Sequence, residues 1–197
     1  MSVRLWIAAA AWTILNAVTA GPVVHGADFV PVQAGTASLT PQNTKLQFVC
    51  AHVGARPDPR KGGFAKFMGK ADVDVATKTL KSLDVDIDVS SLFTEVGDML
   101  TNHLKSVDFF EVRRYPTAHF ETTKIVATSS GTSQITGKLT LHGVTREVSF
   151  PATIDIENSG LKLKSEFTLD RLEFGINYDP SKVENKVTLT VLVGEKP

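Results

Sequence analysis

The side chains of this protein that could do acid–base or metal chemistry are few and scattered. His52, His103, His119 and His142 lie far apart along the chain, several with carboxylates nearby. An imidazole beside a carboxylate is a common start for a proton relay or a metal site. Yet none of these histidines sits in a His-Glu-x-x-His helix, and no Gly-x-Ser-x-Gly turn presents a nucleophile. The plainest role for His103 is a hydrogen bond tying a helix to a loop. Arg171 in DRLEFG and Arg146 in GVTRE carry the fork that suits phosphate, with Asp170, Glu173 and Glu147 beside them as competing ion-pair partners. Asp72, Asp74, Asp84, Asp86 and Asp88 form an acidic row without the glycine turn of a calcium loop. The residues therefore predict a protein that is not an enzyme and needs no metal or cofactor. The chemical alternative is a hydrolase or metal enzyme using His103 and His119.

Positioning such residues falls to strands. KLQFVCAHV alternates with Leu46, Phe48, Cys50 and His52 on one face. FMGKADVDV sets Phe67, Gly69, Ala71, Val73 and Val75 against polar neighbours, and SLDVDIDV does the same with Leu83, Val85, Ile87 and Val89. One apolar and one wet face is the pattern of an antiparallel sheet. AHFETTKIV, SQITGKLTL, REVSFPATIDI, LKLKSEFTL and KVTLTVLV complete eight strands, whereas GARPDPRKGG reads as a loop. Val96, Leu100, Leu104 and Val107 form one helical stripe between the third and fourth strands. Closing the sheet removes its edges, so the fold class expected is all-β: an eight-stranded antiparallel barrel with one helix over an end. A barrel of that size is filled by side chains or holds one small ligand. The small inward residues Gly69, Ala71, Gly137 and Ser165 favour a ligand, although glycine can instead mark a bulge. Phe109 and Phe110 follow the helix, so at least one is expected to face the interior.

The first 26 residues read as a secretory signal: Arg4, then the apolar run LWIAAAAWTILNAV, with cleavage after Ala20 or Gly26. Residues 27–38 are an extended lead-in and residues 39–197 the barrel domain. A periplasmic or secreted location follows. The net charge is zero at pH 7, which argues against a nucleic-acid partner. The single cysteine, Cys50, allows no internal disulfide. No stable membrane insertion is expected after cleavage, and a homodimer stays open.

KGGFAKFMGKADVD, HLKSVDFFEVRRYPTAHF, GKLTLHGVTREVSF and RLEFG occur in that order. In these motifs the chain resembles the YceI-like family of exported bacterial proteins, from about Leu39 to the C-terminus. The resemblance implies a lipocalin-like barrel that sequesters or carries a long apolar molecule, such as a polyisoprenoid. The lipid-facing residues expected are Phe48, Cys50, Phe67, Phe93, Leu100, Leu104, Phe109, Phe110, Phe120, Leu139, Phe167 and Phe174. His103 and Arg171 are the candidates for head-group contact. A ligandless interaction module is the remaining alternative.

Overall fold

Runs that alternate apolar and polar residues bury one face only, and they satisfy their backbone groups by pairing edge to edge. The computed structural model describes residues 29–54, 58–128, 131–157 and 160–194. Among them are β1 (Val30–Gln33), β2 (Thr36–Leu39), β3 (Thr44–Cys50), β4 (Arg60–Phe64), β5 (Phe67–Asp74), β6 (Thr79–Asp88) and β7 (Leu92–Thr94). After helix α1 (Asp98–Lys105) come β8 (Thr117–Ala127), β9 (Ser133–Leu141), β10 (Val144–Glu157), β11 (Gly160–Asp170) and β12 (Lys186–Val193). These strands form one antiparallel sheet in the order β1-β2-β5-β6-β8-β9-β10-β11-β12-β3-β4-β7. β1 also pairs with β11, which closes eight strands into a ring. β12, β3, β4 and β7 continue the sheet from β11.

Four strands thus lie beyond the eight expected. The lead-in supplies β1 and β2, whose Val30, Val32 and Ala37 are buried in the core. The second half of the expected loop GARPDPRKGG is β4, which pairs with β3 on one side and β7 on the other. The signal segment lies outside the described residues. Among the described residues, no helix is long and apolar enough to cross a membrane.

The helix is shorter than its stripe suggested. Gly97 stands at its N-terminus with φ +125°, a conformation open to glycine and poor for other residues. At the other end, Ser106 stops it by bonding the His103 carbonyl through both its N–H and its hydroxyl (2.8 Å for the latter). Val96 and Val107 therefore fall outside α1 and are 49% and 76% exposed. What anchors α1 is β7: the Thr94 N–H donates to Thr101 Oγ1 at 3.0 Å, and Thr94 Oγ1 donates to the Gly97 carbonyl at 3.1 Å. The helix thereby covers the last, otherwise bare strand of the sheet.

Along β6, β9, β10 and β11 the inward residues divide into two sets. Leu80 of β6, Ile135 of β9, Ile156 of β10 and Leu161 of β11 pack into a close core with Val30, Val32 and Val73. Farther along the same strands, Val85 and Ile87, Leu139 and Leu141, Phe150, and Phe167 and Leu169 face a hollow. The barrel is solid at one end and open inside at the other.

Candidate ligand cavity

The hollow is a cavity of about 500 Å³, within the range of small-molecule sites. Its walls come from ten strands, β2 to β6 and β8 to β12, with α1 and the segment after it closing one side. Period-two geometry selects the wall residues. On β3, Leu46, Phe48 and Cys50 point in; on β12, Val187, Leu189, Val191 and Val193 do. Ring contacts stiffen the lining, among them Phe150 stacked on Phe167 at 4.3 Å and Phe120 tilted against Phe150 at 5.6 Å. Helix α1 turns Leu100, His103 and Leu104 toward the cavity and leaves Met99 outside. The chain then folds back, with the Phe110 N–H donating to the Leu104 carbonyl at 3.0 Å, so Phe109 and Phe110 both join the wall.

Phe48, Cys50, Phe67, Leu100, Leu104, Phe109, Phe110, Phe120, Leu139, Phe167 and Phe174 all line this one cavity, as do His103 and Arg171. Phe93 does not. It is 46% exposed, because Leu92 and Thr94 on either side are buried and strand alternation turns Phe93 to the opposite face. Sequence reading missed Phe64, Phe150 and Tyr178 on the wall. Phe150 shares strand parity with Val148 in REVSFPATIDI, so alternation alone could have found it.

The small inward residues do not make the room. Gly69, Ala71, Gly137 and Ser165 all lie off the cavity wall. Ser165 is buried and its hydroxyl donates to the Pro151 carbonyl at 2.6 Å. At Gly137 the missing side chain is replaced by the Phe120 ring: an added Cβ would stand 2.5 Å from Phe120 Cζ and 2.5 Å from the Glu121 carbonyl oxygen. That carbonyl belongs to the paired strand and cannot retreat. Gly137→Ala should therefore destabilise the fold by about 1–3 kcal/mol through overpacking, read as a lowered urea midpoint. An unchanged midpoint would mean that the Phe120 ring and the Glu121 carbonyl both give way.

Polar groups on the wall are mostly occupied. Arg171 is only 5% exposed. Its Nε donates to the Glu184 carbonyl (3.1 Å), Nη1 to the Ile176 carbonyl (2.6 Å), and Nη2 to the Val183 carbonyl (3.0 Å) and Asn185 Oδ1 (3.2 Å). It is a structural tie whose charge, more than its hydrogen bonds, reaches the cavity. His103 Nε2 bonds Asp108 Oδ2 at 3.0 Å, and its ring lies edge-on to Phe109 (5.1 Å) and Tyr178 (5.0 Å). This hydrogen bond fastens the end of α1 to the following loop, the plain role expected of it.

His103 and His119 are not brought together. Ala118 and Phe120 face the cavity, so His119 between them faces out, with Nδ1 at 2.8 Å from Asp86 Oδ1. Asp84 stands close enough that these three outer side chains could share an ion. The site is nonetheless separate from His103, and a joint catalytic pair is not formed.

Cys50 lies on the wall and its Sγ donates weakly to the Glu184 carbonyl at 3.4 Å. Burial pushes its thiol pKa up, opposed by the Ala51 backbone and by the nearby Arg171 charge. The thiolate fraction at pH 8 is therefore below that of a free cysteine, and labelling should be slow and should accelerate above the ordinary thiol range. Iodoacetamide should label the folded protein far more slowly than the chain unfolded in denaturant. Equally fast labelling of the folded and unfolded protein would place Cys50 outside.

The YceI-like domain family matches residues 38–194. A UPF0312 protein of Pseudomonas putida strain W619 is 38% identical over 96 residues, 49% of this chain and 50% of that protein. A UPF0312 protein of Ectopseudomonas mendocina strain ymp is 37% identical over 91 residues, 46% of this chain and 47% of that protein. The chain spans about half the length of these curated relatives. Among solved structures, Burkholderia cenocepacia BcnA superposes with a TM-score of 0.67 at 25% identity, covering 76% of this chain and 94% of that one. A polyisoprenoid binding domain from Saccharophagus degradans superposes with a TM-score of 0.60 at 14% identity, over 84% of this chain and 100% of that one, a likeness of fold.

Proposed function

We propose, since this chain belongs to the YceI-like domain family, that its cavity binds a long apolar lipid of isoprenoid type and holds it away from water. The cavity carries this reading: about 500 Å³, walled by the phenylalanines and aliphatic residues of ten strands. The polyisoprenoid binding named for the Saccharophagus degradans neighbour supports the ligand class. Each buried methylene is worth about 0.8 kcal/mol, so a tail of roughly twenty carbons gains over ~10 kcal/mol before costs. Ordering the tail and losing its free motion return several kcal/mol of that. No proton transfer is required, and the separation of His103 from His119 favours a binding protein over an enzyme.

The lipid tail runs from the core-facing floor at Leu39, Leu163 and Val193 toward α1. Leu100 and Leu104 cover it there without being buried themselves. The protein acts after export, in the periplasm or outside the cell, where a free isoprenoid tail would otherwise aggregate. N-terminal sequencing of protein from cells should then find a start near Gly21 or Ala27, and an intact Met1 in the cytoplasm would sink this part. For binding, geranylgeraniol added to the delipidated chain should raise Tm in a concentration-dependent way. No shift and no heat of binding at saturating lipid would overturn the reading.

A further inference from the structure

The cavity wall is asymmetric in charge. Arg60, Arg171 and Lys182 line it, with His52 and His103, while among the described residues no aspartate or glutamate does. The whole chain has zero net charge, so this is not a reflection of composition. The backbone gathers four of these five groups at one end. Arg60 is paired in register with Cys50, and His52 bridges to Val183. The Val53 N–H donates to the Lys182 carbonyl and the Glu184 N–H to the Ala51 carbonyl, both at 2.9 Å. Arg171 bonds the Val183 carbonyl from below the same junction.

Two of the cations are incompletely answered. Arg171 is buried and satisfied by neutral oxygens alone, and no carboxylate pairs with it among the described residues. Arg60 holds Asp58 through Nη2, but its Nε is buried without a hydrogen-bond partner among the described residues. A guanidinium taken out of water without a counter-charge is costly, and an unused buried donor adds to that cost. Lys182 pairs with Asp179 at 2.8 Å, and that bond holds its pKa above the ordinary lysine value, so it stays charged. Asp58, Asp179 and Glu184 stand nearby, yet none lines the cavity.

We infer that the ligand is an anionic amphiphile, whose phosphate or carboxylate head sits at the Cys50–Arg60–Lys182 end while its tail fills the apolar hollow. This rests on the lipid-binding reading and adds the charge and position of the head. The Arg60 Nε–H supplies a donor to the head, Lys182 a mobile point charge, and Arg171 a fixed field. A neutral head would leave that field unanswered. Charge at the head also gives a reason for the wall to exclude carboxylates, since a like charge in a low-dielectric site repels strongly.

The test compares two probes with the same tail, geranylgeranyl phosphate and geranylgeraniol, on the delipidated full-length protein. The phosphate should bind about tenfold or more tightly at low salt, since a charge-assisted hydrogen bond is worth roughly one such factor. The ratio should fall toward one in Arg60→Gln and in Lys182→Gln, two partly or largely exposed positions that leave the Arg171 tie intact. Inorganic phosphate at the same concentration should not displace the lipid. Equal affinity for the two probes in the unaltered protein would overturn the anionic head while leaving lipid binding in place. Displacement by inorganic phosphate alone would assign the basic end to a free anion and overturn it too. If neither probe binds, the lipid reading itself fails and the head-group assignment falls with it.

Discussion

Replacing Arg171 with methionine should cost the fold about 3 kcal/mol or more, the largest stability loss expected from a single wall residue. Methionine keeps most of the apolar stem but removes every donor. The carbonyls of Glu184, Ile176 and Val183 and the Asn185 side chain then lose the guanidinium at once, and Glu184 keeps only the weak Cys50 thiol contact. These acceptors sit where the 3₁₀ turn Arg171–Phe174 meets the segment leading into β12, so the loss is spread over one junction. In a domain of this size the Tm should drop on the order of 6–12 °C. Arg171→Lys should recover only part of it, because a single ammonium cannot reproduce a planar fork on four oxygens. A methionine variant within about 2 °C of the parent Tm would show that water replaces the guanidinium and that the tie is dispensable.

Leu189→Trp should sharply reduce lipid retention without unfolding the protein. Leu189 lies on β12 opposite Phe48 of β3 and Phe167 of β11, at the middle of the wall. A larger ring there enters empty volume, not packed core, so overpacking strain is small and cavity filling can even stabilise. Retained lipid should fall about tenfold or more, since a tail displaced over several methylenes loses roughly 0.8 kcal/mol for each. Tm of the empty protein should hold or rise. Full lipid retention in this variant would put the ligand somewhere other than the hollow between β12 and β10.

The wall was legible where a strand is long enough to show its period. Leu46, Phe48 and Cys50 on β3, and Val85 and Ile87 on β6, face the cavity as their parity predicts. The same rule explains why His119 faces out between Ala118 and Phe120. It gave no hold on β1, β2 and β7, which are three or four residues long. Phe93 was misplaced for that reason: without a strand to flank it, a phenylalanine reads only as apolar. β4 was hidden in glycine, because Gly62 lies where the Phe48 ring fills the place of a side chain. The helical stripe counted Val96 and Val107 by spacing, whereas Gly97 and Ser106 set the ends. The basic end of the cavity was beyond sequence reading altogether. His52, Arg60, Arg171 and Lys182 come from two regions over a hundred residues apart, brought together by the pairing of β3 with β4 and β12 and by the bridge beyond it.

The most direct measurement is organic extraction of protein purified from its own cells in native form, followed by mass spectrometry of the extract. The proposed lipid-binding role predicts a single class of long-chain isoprenoid-like species in near-equimolar amount, depleted in Leu189→Trp, with an ionisable head in its mass. An extract containing only ordinary membrane lipid in trace amount, equal in the parent and the tryptophan variant, would contradict a lipid held in the barrel.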